Sequence, residues 1–164
     1  MNSLDTVKTL AEILRSRSWK MAAAESCTGG LVCASLTALA GSSDWFERGY
    51  ITYSNEAKAE CLGVPADLIE DHGAVSEQVA HAMAEGAQLQ AGTNVAISIT
   101  GIAGPSGGSA EKPVGTVCFA WAIRNDASEN RVLTKIMHFD GDRQSIRQQA
   151  CDYVLSELAK LLEN

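Results

Sequence analysis

The chain has 164 residues, 46% of them hydrophobic and 20% charged, a composition that suits one globular domain with a buried core and excludes extended disorder. A formal charge of −7 argues against a sequence-independent grip on a nucleic-acid backbone, and no apolar run approaches the length of a membrane span. The five cysteines are odd in number and widely spaced and the three histidines stand apart, so reduced thiols in a cytoplasmic setting are expected, with neither a disulfide framework nor a metal site.

Leu4, Val7, Leu10, Ile13 and Leu14 recur at helical spacing and predict a first helix, with Asp5 near its positive end. The charges of this segment stand where a secretion signal would need its apolar stretch. Lys20 to Glu25 reads as a short buried strand and Thr28 to Ala40 as a helix, which places Ser26, Cys27 and Thr28 in the turn between them. The free N–H groups and the dipole of a helix start favour negative charge there. The plain account is that Ser26, Cys27 or Thr28 caps the helix. Gly29 and Gly30 argue for the close approach of a ligand or of backbone, because glycine in a first turn costs stability.

After Gly41, Ser42 and Ser43 break the helix, Gly49 to Ser54 has the β-branched and aromatic content of a strand. Asn55 is expected to cap a short helix through Cys61, ended by Gly63 and Pro65. Lys58 then falls near the positive end of that helix, where partial burial would bring its pKa toward the range of a general base, although most lysines are simply solvated. Tyr53 reaches the same place unless it is a core aromatic. Ser76, Val79, Met83 and Ala87 mark a helix whose many small residues permit close packing, and Asn94 to Thr100 reads as a buried strand.

The stretch GIAGPSGGSAEKP, Gly101 to Pro113, is too glycine-rich for regular structure and offers unobstructed N–H groups of the kind that hold phosphates or oxyanions. It matches neither a Walker motif nor a dinucleotide fingerprint, and a surface Ω-loop is the competing account. Val114 to Arg124 and Arg131 to Phe139 predict two strands joined by a polar turn, Asn125 to Asn130. A last helix from about Asp142 carries Ile146, Ala150, Val154, Leu158 and Leu161 on one stripe. Arg143 and Arg147, one turn apart at its start, suit either a phosphate clamp or a solvated face paired with Asp140 or Asp142. Strands alternating with helices, followed by a strand pair, predict an α/β fold, a three-layer α/β/α sandwich with a mixed, mostly parallel sheet.

The segments AAAESCTGGL, GYITYSNEAKAECLGV, HGAVSEQVA, ITGIAGPSGG followed by KPVGTV, and GDRQSIRQQA, taken together, resemble the CinA carboxyl-terminal domain family in the same order over nearly the whole chain. The resemblance implies one domain over residues 1–164 that hydrolyses the carboxamide of nicotinamide mononucleotide to nicotinate mononucleotide and ammonia, without metal or organic cofactor. It implies a serine amidohydrolase lacking a catalytic histidine, with Ser26 as nucleophile, Lys58 as base and Tyr53 as the group that orients or relays protons. Substrate contacts are implied for Cys27, Thr28, Gly29, Gly30, Asn55, Thr100, Gly101, Gly104, Gly107 and Gly108, and phosphate contact for Arg143 or Arg147. The implied partner is a small-molecule nucleotide, with neither nucleic acid nor membrane involved. A homodimer is expected by family likeness and base rate, with the Ser76 to Ala91 helix as a possible contact surface. Two other readings stand beside this one: a competence-related regulatory protein that binds pyridine nucleotides without turning them over, and an amidohydrolase whose nucleophile is Cys27.

Overall fold

The computed structural model describes residues 2–125 and 129–164. Helix α1 (Ser3–Ser16) leads into strand β1 (Met21–Glu25), helix α2 (Leu31–Thr37), a short 3-10 turn at Ser42–Asp44, and strand β2 (Phe46–Ile51). Helices α3 (Asn55–Leu62), α4 (Ala66–His72) and α5 (Glu77–Ala91) follow, then strands β3 (Val95–Gly101), β4 (Thr116–Arg124) and β5 (Asn130–His138), and the long helix α6 (Arg143–Glu163).

One sheet runs in the order β2-β1-β3-β4-β5. Strand β1 is parallel to both β2 and β3, whereas β4 is antiparallel to β3 and β5 to β4. Only β4 therefore opposes the other four strands, and the sheet is mixed and mostly parallel, as expected. The chain leaves β1 for β2 on one side and returns to β3 on the other, so the topology switches direction at β1. Ligands in open α/β sheets bind outside the carboxyl ends of the strands at such a point.

Alternation along the strands sets the two outer layers. Met21 and Ala23, Val95, Ile97 and Ile99, and Val117, Phe119 and Trp121 face α1, α2 and α6, where they join Leu10, Leu14, Leu36, Ile146, Val154 and Leu158. Within this bulky layer Phe119 stacks on Trp121 while Tyr153 meets Phe119 tilted and Trp121 edge-on, and the Trp121 indole N–H donates to the Val154 carbonyl at 3.0 Å. The opposite face carries Ala22, Ala24, Ala96, Cys118, Ala120 and Ala122, which lets α5 lie close. Ser98 and Thr100, on that small-residue face of β3, donate through their hydroxyls to the Ala80 and Ala74 carbonyls at 2.6 and 2.8 Å. The small residues of α5 are thus used within this chain, with Val79, Ala80, Met83, Ala84, Gly86 and Ala87 all buried.

Several expected boundaries move, each for a local reason. The helix predicted from Thr28 to Ala40 spans only Leu31 to Thr37, because Gly29 and Gly30 have φ of +58° and +108°, a left-handed turn that cannot belong to the helix. Ser54, not Asn55, caps α3: its hydroxyl accepts the Ala57 N–H at 3.0 Å, and Asn55 is the first helical residue. Pro65 opens the unforeseen helix α4. Strand β2 begins at Phe46 and ends at Ile51, leaving Tyr53 and Ser54 in the following loop. Strand β4 starts at Thr116, after the Gly115 turn, and β5 runs from Asn130 to His138. Residues 126–128 of the expected turn lie outside the described residues.

The closest approach in the α5 layer is Gly86, where an added Cβ would fall 2.0 Å from the Leu62 carbonyl oxygen. Gly86→Ala should lower stability by about 1–3 kcal/mol through overpacking. Gly92 has φ of +64° with nothing near an added Cβ, so Gly92→Asn should stay within about 0.5 kcal/mol of the parent. Urea midpoints at constant m-value measure both.

Candidate active site

Three loops meet at the carboxyl ends of the parallel strands: Ser26 to Gly30 after β1, Thr52 to Ser54 after β2, and the glycine-rich stretch after β3. Together with the α4–α5 connection and Arg143 they line a cleft of about 290 Å³, close to the lower end of small-ligand sites.

The polar turn is organised by a residue that sequence reasoning passed over. Glu25, the last residue of β1, is fully buried, and its carboxylate accepts the N–H groups of Gly30 and Val32 at 3.1 Å and of Cys33 at 2.9 Å. It thereby caps α2 from the strand side and balances the positive end of the helix. No side chain at Ser26, Cys27 or Thr28 is engaged as that cap. The left-handed conformations of Gly29 and Gly30 account for the glycine pair without a ligand.

Ser26 is 7% exposed, its N–H bonded to the Ile99 carbonyl of β3 at 3.0 Å, so its backbone is tied to the sheet while its hydroxyl faces the cleft. Lys58 is 1% exposed. Side chains of a helix lean toward its amino end, and Lys58 in the first turn of α3 accordingly turns back to the loop before it. Its Nζ lies 3.1 Å from Ser26 Oγ, 3.1 Å from the Thr52 and Tyr53 carbonyl oxygens, and 3.4 Å from that of Ser54.

Burial pulls the Lys58 pKa below its usual value, partly opposed by Cys27 and Glu56. The amine donates toward the two nearer carbonyls and Ser26 Oγ, and the Ser26 hydroxyl donates to the Tyr53 carbonyl at 3.4 Å; in its neutral form the amine would offer a lone pair to that hydroxyl. The pair has the arrangement of a nucleophile and its base within hydrogen-bond reach.

Tyr53 contributes two different groups. Its carbonyl holds Lys58, while its side chain is 62% exposed and its hydroxyl accepts from Arg143 Nη2 at 3.2 Å, not from Ser26 or Lys58. Arg143 Nη1 also donates to the Gly104 carbonyl at 2.7 Å, tying the glycine loop to Tyr53. Arg147 turns elsewhere: its Nε and Nη2 donate to the Cys27 and Thr28 carbonyls at 3.1 and 3.0 Å. The two arginines do not form one clamp.

Cys27, Asn55, Thr100, Gly101, Gly104 and Gly107 line the cleft. Thr28, Gly29, Gly30 and Gly108 are not among its lining residues, and Gly108 packs against Val114. Gly101 is needed because an added Cβ would meet Val117 at 2.8 Å, the Thr116 carbonyl at 3.0 Å and Cys27 Sγ at 3.1 Å. Ala74 and Val75 complete the wall, and nothing in their chemistry announces it. Among the described residues no cluster of three or more His, Cys, Asp or Glu side chains is placed to hold a metal, and no helix is long and apolar enough to cross a membrane.

The Cys27 thiol is buried, and that burial pushes its pKa up to about 12, which leaves it protonated and unreactive near neutral pH.

Residues 4–162 match the model of the CinA C-terminal domain family. The chain is 51% identical over 152 residues to a protein of Enterobacter agglomerans named nicotinamide-nucleotide amidohydrolase PncC, covering 92% of this chain and 90% of that one. It is 56% identical to a CinA-like protein of Syntrophobacter fumaroxidans over 94% of its own length, spanning only 35% of that longer relative. The crystal structure of competence damage-inducible protein A from Klebsiella pneumoniae superposes with a TM-score of 0.94 at 37% identity, covering 100% of this chain and 99% of that one.

Brief iodoacetamide treatment of the native protein at pH 8 should modify exposed Cys61 and spare Cys27, which should react only after unfolding; peptide mass mapping reads both sites. Rapid native labelling of Cys27 would contradict the buried thiol described above.

Proposed function

The chain belongs to the CinA C-terminal domain family, and from that premise we propose that it hydrolyses the carboxamide of nicotinamide mononucleotide, releasing ammonia and nicotinate mononucleotide, with Ser26 as nucleophile and Lys58 as base. The observation that carries the mechanism is the buried Lys58 amine 3.1 Å from Ser26 Oγ. The substrate comes from the relatives named nicotinamide-nucleotide amidohydrolase.

Neutral Lys58 takes the Ser26 proton as Oγ bonds to the amide carbon, and the carbonyl π pair moves onto oxygen. The backbone N–H groups of Cys27 and Thr28 are the donors for that oxyanion; that of Thr28 has no hydrogen-bond partner among the described residues, and that of Cys27 meets its own thiol sulfur. The tetrahedral adduct collapses, the C–N bond breaks, and the Lys58 ammonium passes its proton to the departing nitrogen, which leaves as ammonia. In the second half a water gives its proton to Lys58 and attacks the acyl carbon, and Ser26 leaves with that proton restored. The Thr52 and Tyr53 carbonyls hold Lys58 in both charge states, since each accepts from an amine or an ammonium alike. The Tyr53 phenol, fixed by Arg143 at the wall of the cleft, orients the amide. Asn55, Thr100 and the Gly101 to Gly107 stretch contact the rest of the nucleotide.

Ammonia release from nicotinamide mononucleotide tests the reading, with EDTA present throughout. The parent should be active, Lys58→Ala should lose about a hundred- to ten-thousandfold, and Ser26→Ala more than about ten-thousandfold. A folded parent that binds the nucleotide without releasing ammonia would instead make this a binding protein.

The pH profile has a definite sign. A lysine whose pKa lies below its usual value is neutral over more of the range above it, so kcat/KM should rise with pH through that lowered value and level off above it. A rate that instead falls across this limb would exclude Lys58 as base.

A further inference from the structure

Arg147 is half-buried in the second turn of α6. Its guanidinium makes no contact with the cleft and instead donates to two consecutive carbonyls, those of Cys27 and Thr28, immediately after the nucleophile. A trans peptide is rigid, and its carbonyl and N–H point in opposite directions. Whatever pins the Cys27 oxygen therefore also sets the Thr28 N–H.

The turn shows how completely this is done. The Ser26 carbonyl is pinned by the Gly29 N–H at 3.1 Å, which sets the Cys27 N–H. The Thr28 carbonyl takes both the Leu31 N–H at 3.1 Å and Arg147. The Cys27 carbonyl has Arg147 as its one partner among the described residues. Without Arg147, the Cys27–Thr28 peptide would have no bond at either end.

We infer that Arg147 is a positioning residue for the reaction: by holding the Cys27 carbonyl it aims the Thr28 N–H at the oxyanion formed on Ser26, and by holding the Thr28 carbonyl it steadies the Gly29 N–H that pins the Ser26 carbonyl and so the Cys27 N–H. Its charge adds to this, because a cation on an amide oxygen polarises the amide and strengthens its N–H as a donor. This inference rests on the Ser26 amidohydrolase reading and deepens it. It also separates Arg147 from Arg143: a residue gripping substrate phosphate would act on binding, whereas one that shapes the oxyanion donors acts on the chemical step.

Arg147→Lys and Arg147→Ala, assayed for ammonia release with thermal melting alongside, test it. Arg147→Ala should lose about ten- to a hundredfold in kcat, less than direct removal of a donor would cost, with KM within about twofold. The Lys58 limb of its pH profile should stay in place, and added guanidinium should restore part of kcat. Arg147→Lys should fall between, because an ammonium is a point charge that cannot fork onto two carbonyls. Unchanged kcat in both variants, or a loss confined to KM, would overturn the inference. So would a kcat loss that guanidinium and lysine fail to relieve and that tracks the folded fraction, since that is a structural role only. A parent with no turnover sinks the amidohydrolase reading and this with it, whereas an active parent indifferent to Arg147 sinks this alone.

Discussion

A carboxylate with no solvent exposure is costly unless its oxygens are bonded, and Glu25 meets that requirement with the first free N–H groups of α2. The consequence reaches beyond the helix cap. Because the strand residue takes the helix terminus, the three residues after it are released from capping, and the chain can make a left-handed turn through Gly29 and Gly30 before the helix starts. Ser26 is then held at its N–H by β3 and at its carbonyl by Gly29, with its hydroxyl left to the cleft. A cap supplied by Ser26 itself would have consumed the hydroxyl that meets Lys58.

The opposite requirement governs Lys58. Backbone carbonyls around an amine favour its charged form, while burial disfavours it, and here burial prevails. The carbonyls of Thr52 and Tyr53 are better understood as guides than as counter-charges: they fix the place of the Lys58 amine beside the Ser26 hydroxyl. In the proposed reaction the β2–α3 loop does for Lys58 what a third side chain does for the base of a Ser-His-Asp arrangement.

How much of this could be read from the sequence differs by element. The strand-turn-helix at Ser26 was visible because the glycine pair punctuates it, and the α/β architecture because apolar periodicity switches along the chain. Lys58 could be suspected from its place in a first helical turn, but its burial depends on the Thr52 to Ser54 loop folding back over it, which no periodicity encodes. Glu25 was hidden by its strand: a capping residue five or more positions ahead of its donors falls outside the local cap patterns. The start of β2 was missed because Phe46 to Arg48 lacks strand-like alternation and lies on an edge. Arg147 reads in the sequence as half of a phosphate clamp or as a solvated face, because its partners lie 119 and 120 residues away.

The arginines of α6 explain why a helix in the bulky layer matters to a site built from loops. Loops are the most mobile parts of a sheet protein, and a nucleophile and its base must keep their separation to a few tenths of an ångström to be useful. The carboxyl ends of β1, β2 and β3 provide three fixed points, because Ile99 and Glu25 bind the backbone of Ser26 and Thr52 directly. The loops beyond those points need a separate brace. Arg143 supplies it for the glycine stretch and Tyr53, and Arg147 for the turn after Ser26, both from one helix anchored by Ile146, Ala150 and Val154 in the core. The stiffness of the larger core is thereby carried to the loops of the cleft through two guanidinium groups. A substitution deep in the α6 stripe would consequently shift the turn after Ser26 without touching the cleft.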